Sequence, residues 1–182
     1  MDMRHPLITL LLGLSLLGSG CVHRIHVTVP ATETTSTSLP VSVQLDLPFL
    51  AIEGPDHMPG ITLLEWPVKE LRQTTVEYFT QRQTFAVIGA GPAEMRLVMK
   101  AWLTLRAPDR YLYRVHLEGD LYYLGKPVLK TYAAEGDALG SSVRWTTASD
   151  QEPIADATIQ ALHSLASQIE QDRDLVITGR PQ

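Results

Sequence analysis

Few side chains in this chain could do covalent chemistry, so each deserves weighing in its own setting. Cys21 is the one cysteine among 182 residues, so it has no internal disulfide to make and its thiol is left for another use. His116, Glu118 and Asp120 could supply acid and base groups. They alternate with apolar residues along a strand pattern, however, and that spacing describes a solvated face. Ser141 and Ser142 follow Gly140 without the residues that surround an exposed nucleophile. Gly89-Ala-Gly-Pro92 lacks a third glycine and a following helix, and Pro92 removes a backbone donor, so it reads as a turn and not a phosphate cradle. His23 and His26 have no third ligand nearby. No nucleophile, metal-ligand or paired-carboxylate constellation emerges. The expectation is a chain that is not an enzyme and that carries no metal or cofactor.

What precedes Cys21 gives that thiol its meaning. Arg4, an apolar run from Leu7 to Leu17, and the small residues Gly18, Ser19 and Gly20 form an export signal with a processing site. The run is too short for the ~20 apolar residues that a bilayer-spanning helix needs. A cysteine placed directly after such a site resembles the lipid-attachment cysteine of bacterial lipoproteins, with Gly18 standing where that family most often has Leu. The resemblance implies that residues 1–20 are removed and that Cys21 is acylated and becomes the N-terminus. It also implies a membrane held through the lipid as the first partner. Several acyl chains anchor stably where one does not. In enteric-type sorting Asp after the cysteine retains the protein at the inner membrane. Val22 here favours the outer membrane, facing the periplasm.

From Thr28 to Ser38 the chain is rich in Thr, Ser and Pro, which reads as a flexible tether. Residues 21–39 are therefore expected to be lipidated cysteine plus tether. Fully extended, the segment after Cys21 could reach roughly 60 Å. Residues 40–178 are long enough for one domain with one core. A net charge of -5 and the lack of any Lys/Arg run exclude an electrostatic footprint for nucleic acid.

Elements follow from periodicity. Val41, Val43, Leu45 and Leu47 alternate in a first strand, which Pro48 and the Gly54–Gly60 cluster are expected to end. Pro67 opens a helix to Arg82, and Phe85–Ile88 is a short strand. Met95–Leu105 and Tyr111–Tyr123 alternate strictly and should form an antiparallel hairpin. Pairing Lys100 with Glu118, or Arg96 with Asp120, would be charge-complementary. Their charged outer face rules out a lipid-facing barrel. Val128–Glu135 adds a strand, and a helix from Pro153 buries Ile154, Thr158, Ala161, Leu162, Leu165 and Ile169. The order β-α-β-β-β-β-α predicts an α+β fold, a mostly antiparallel sheet with two helices on one face.

Gln83–Ile88, Tyr122–Pro127 and Ala157–Asp172 in this order resemble small envelope lipoproteins of the lipopolysaccharide-assembly and ABC-transport auxiliary types. That resemblance implies a non-enzymatic binding or assembly module with an envelope protein as partner. The alternative is a surface-tethered hydrolase with a loop-assembled site, which a pocket converging His, Glu and Ser would mark. Trp66 is expected to staple the helix start and Trp102 to stack on a neighbouring Arg. Trp102 and Arg114, on the outer face of the hairpin, are the candidate partner-binding residues, since aromatics and Arg dominate binding hot spots.

Overall fold

Strict alternation builds the sheet. The structure, a computed structural model, describes residues 23–53, 64–107, 112–140 and 150–179. In β2 (Leu39–Glu53) Val41, Val43, Leu45 and Leu47 are buried. The odd-numbered residues of β5 (Met95–Ala107) and of β6 (Leu112–Tyr123) line the same core, Met95 to Leu105 on one and Tyr113, Val115, Leu117 and Leu121 on the other. Period two sends the intervening residues to the opposite face. With β4 (Phe85–Gly89) and β7 (Lys130–Leu139) these strands form one five-stranded mixed sheet, ordered β4-β2-β5-β6-β7. Helices α1 (Val68–Arg82) and α2 (Gln151–Gln171), followed by the short α3 (Arg173–Thr178), pack on the core face. The fold is α+β.

Of the two registers open to the hairpin, the structure has Lys100 opposite Glu118, their charged atoms 3.7 Å apart. Arg96 stands opposite Tyr122 and instead reaches Asp46 on β2 at 2.5 Å. The strand β2 is parallel to both of its neighbours, a pairing that alternation alone does not reveal. Parallel strands ordinarily need a crossover of a dozen or more residues. Here residues 90–94 suffice. Strand β4 ends with Gly89 opposite Gln44 and β5 starts with Met95 opposite Val43, so the chain steps over β2 without retracing its length. Glu94 fastens the step: its carboxylate accepts from the Ser42 amide at 3.1 Å, and its own amide donates to Ser42 Oγ at 3.0 Å.

Two expectations are corrected. Pro48 does not end the first strand, which runs on to Glu53; a register shift between Asp46 and Phe49 absorbs the missing donor. The segment read as a tether is not a free linker over its described length. Arg24 of β1 (His23–Arg24) pairs with Glu65 of β3 (Leu64–Glu65). From there Ile25, Val27 and Val29 bury into the core cluster, while Arg24, His26 and Thr28 face outward. This alternation, three apolar residues at period two, is a strand-like signal that the Thr/Ser-rich composition downstream obscures. Thr74 Oγ1 donates to the Val27 carbonyl at 3.3 Å, and the Thr35 amide donates to the Arg82 carbonyl at 2.8 Å. The arm thus runs along α1 from start to finish.

The closing helix buries the predicted face. It approaches β7 so closely that a Cβ on Gly136 would meet the Ala157 carbonyl at 2.0 Å, which explains a glycine in mid-strand. Asp150, ahead of the helix, is buried and accepts from Tyr113 Oη at 2.5 Å, so it holds helix to sheet as well as favouring the helix dipole. Trp66 is buried next to the start of α1.

Candidate functional site

Because both helices and the arm pack on the core face, the even-numbered residues of β5 and β6 meet solvent on the other. Across the sheet, register places Ala51, Trp102, His116 and Glu135 in one row. Trp102 sits between two rings, Phe49 at 5.4 Å and His116 at 5.2 Å, tilted by 54° and 57°. Among the described residues the rings that flank it are therefore those of Phe49 and His116. Phe49 is 43% exposed, large for a phenylalanine in mid-strand.

Ion pairs surround this trio. Arg114 donates through Nε and Nη2 to the two oxygens of Asp137 at 2.7 and 2.8 Å, and lies 3.8 Å from Glu135. These hydrogen bonds raise the Arg114 pKa above its ordinary value and pull that of Asp137 down. His116 Nδ1 is 3.2 Å from Glu135, and Asp120 accepts from Thr131 at 2.6 Å. His116, Glu118 and Asp120 thus each turn to a different cross-strand neighbour and do not converge on one point. What the surface can do is bind: partly exposed aromatic area, a fixed guanidinium fork and satisfied charges at the rim.

A second cluster, on the helix side, was not read from the sequence. An open cleft of about 460 Å³ is lined by the arm residues Glu33–Thr37 together with Arg82, His163, Ser167 and Glu170. It brings His, Ser and Glu together, the grouping that would mark a hydrolase. Their bonds run elsewhere. The Glu170 carboxylate accepts from Arg82 Nε and Nη2, both at 2.8 Å, from Thr84 at 2.7 Å and from Thr35 at 3.0 Å. Ser167 Oγ accepts from Arg82 at 3.3 Å, and His163 Nδ1 lies 3.2 Å from Tyr78 Oη. Nucleophilic catalysis needs the hydroxyl bonded to its base and the base oriented by the acid. Here the cation takes both the hydroxyl and the carboxylate, and the cluster is a clamp. Burial pushes the Glu170 pKa up, but the hydrogen bonds from Arg82 and Thr84 and the Arg82 charge outweigh it and hold the carboxyl below its usual range. The available signal was a charge at core spacing, since Glu170 follows Ala166 by one helical turn.

Among the described residues no group of three His, Cys, Asp or Glu could hold a metal ion, and His26 instead faces Glu70 at 3.5 Å. Trp102 and Arg114 lie on the same open face, two residues apart along the ladder, with Thr104 opposite Arg114. Cys21, Ser141 and Ser142 fall outside the described residues.

No family model matches the chain, and no curated protein matches its sequence. Solved structures do align with it. A Xanthomonas campestris protein of the family designated DUF330 aligns with a TM-score of 0.59 at 15% identity, over 86% of this chain and 96% of that one. A Chlamydia trachomatis protein aligns at 0.48 and 8% identity, over 74% of this chain and 98% of that one. A minor lipoprotein of Acinetobacter baumannii aligns at 0.43 and 13% identity, over 68% and 93%. At these identities the likeness is one of fold, and the DUF330 protein is the neighbour that carries it.

Proposed function

We propose that the mature chain is a lipid-anchored protein of the bacterial envelope that works as a non-enzymatic binding or assembly module in envelope biogenesis or transport. Its place is the periplasmic side of the outer membrane, its anchor Cys21, and its partner an envelope protein. The observation that carries the reading is the Phe49–Trp102–His116 cluster beside the Arg114–Asp137 fork on the helix-free face of the sheet. Exposed aromatic area next to a pre-set guanidinium is the composition of a binding hot spot, and the face spends its acid and base groups on one another. The signal before Cys21 supports the anchor.

Two experiments test the reading. Cys21→Ala should leave the domain folded and move it from the detergent phase to the aqueous phase; equal partitioning of both proteins refutes the anchor. Purification of the acylated protein from membranes should bring down a stoichiometric envelope protein that Trp102→Ala no longer retains.

A further inference from the structure

We infer that the pole of the domain bearing β1 and β3 lies directly against the bilayer, so that a lipid surface is the partner of that pole and the molecule stands in a fixed orientation. This rests on the reading of Cys21 as the acylated residue. A Thr/Ser-rich tether would have placed the head up to roughly 60 Å from the membrane. The structure leaves almost none of that reach. His23, two residues after Cys21, already pairs with Leu64, and Arg24 pairs with Glu65. Two residues span at most ~7 Å. Beyond them the Ile25 amide donates to the Glu65 carbonyl at 2.8 Å, and the Ile25 side chain is fully buried.

The rest of the arm is strapped down in sequence order. His26 faces Glu70, Val27 meets Thr74, Thr35 meets Arg82 and Glu170, and Ser38 accepts from Arg173 at 2.7 Å. The residues that could have served as linker are thus spent between α1 and α2. The arm enters β2 at the far pole.

Strand direction then fixes which parts face the membrane. At the near pole β2 ends with Glu53, β5 with Ala107 and β7 with Leu139, and α1 and α2 begin there. At the far pole lie Phe85, Met95, Tyr123, Lys130 and Thr178. The 13 residues of β5 separate the two poles by ~40 Å. Exposed apolar groups lie at both poles, Leu139 and Val68 at the near one and Leu124, Val128 and Ile177 at the far one, so they do not set the orientation. The acyl chains supply the affinity, and the short exit supplies the orientation. The open face of the sheet then stands along the membrane normal, where a partner can approach it from the side.

The test uses the full-length acylated protein, reconstituted in phosphatidylethanolamine/phosphatidylglycerol vesicles that carry an acceptor dye on the headgroups. Acylation consumes the chain's one thiol, so Lys69→Cys and Lys126→Cys each provide a single site for a donor dye, at the near and far poles. The expected result is energy transfer several-fold more efficient from position 69 than from position 126. Equal transfer from both sites, with the protein floating with the vesicles, describes a head swinging on a loose stalk and overturns the orientation alone. The reverse ranking overturns it as well. A protein that does not float, and whose unsubstituted form takes the dye at Cys21, overturns the anchor and the orientation together.

Discussion

Among the described residues two nearly identical Arg–carboxylate forks stand one on each face of the sheet. Arg82 meets Glu170 with both bonds at 2.8 Å, and Arg114 meets Asp137 at 2.7 and 2.8 Å. Their geometry is the same and their surroundings are not. The Arg82 and Glu170 side chains are 12% and 6% exposed; those of Arg114 and Asp137 are 44% and 41% exposed. Removing one partner of a buried pair strands a desolvated charge, whereas water compensates an exposed one. The first fork therefore holds the arm, α1 and α2 together. The second is cheap to rearrange and remains available to a partner. Bond lengths do not tell these roles apart, and burial does.

That comparison can be broken at several points. Glu170→Ala should cost about 3–5 kcal/mol of stability in denaturant unfolding, because it leaves Arg82 buried without its partner. Leu162→Ala and Leu165→Ala, at fully buried positions of α2, should each cost about 2–5 kcal/mol. Acid sharpens the contrast. The folded-state pKa of Glu170 is held below its ordinary 4.5, so its contribution to stability is complete above that value and is lost as pH falls through the folded pKa. Melts recorded downward from pH 6 should show a decline that Glu170→Gln makes shallower; an unchanged acid limb would deny the clamp its role. On the open face, Arg114→Ala should change stability by only about 0.2–1 kcal/mol. A loss as large as that of Glu170→Ala would show that the two forks do the same work.

Much of this architecture is legible as periodicity, because a buried strand face declares itself every second residue. Val41–Leu47, Met95–Leu105 and Tyr113–Leu121 are read correctly for that reason, as is the α2 face. What escaped reading depends on contacts distant in sequence. Nothing local tells β2 to lie parallel between β4 and β5, or tells Pro48 that a register shift will accommodate it. Phe49, one residue past that proline, therefore gives no local sign that it lies on the strand beside Trp102. In the arm composition and pattern point in opposite directions, since Ile25, Val27 and Val29 alternate just ahead of the Thr-rich stretch. Trp102 and Arg114 could be placed on the outer face from alternation. The rings that flank Trp102 could not, since they come from β2 and β6 through register.

The claim that the open face binds and the covered face holds is tested most directly at Trp102. Trp102→Ala should leave the melting curve of the acylated protein essentially unchanged while the partner that co-purifies from membranes is lost. A large fall in melting temperature with the partner still bound would contradict it, and would make Trp102 part of the fold's own packing.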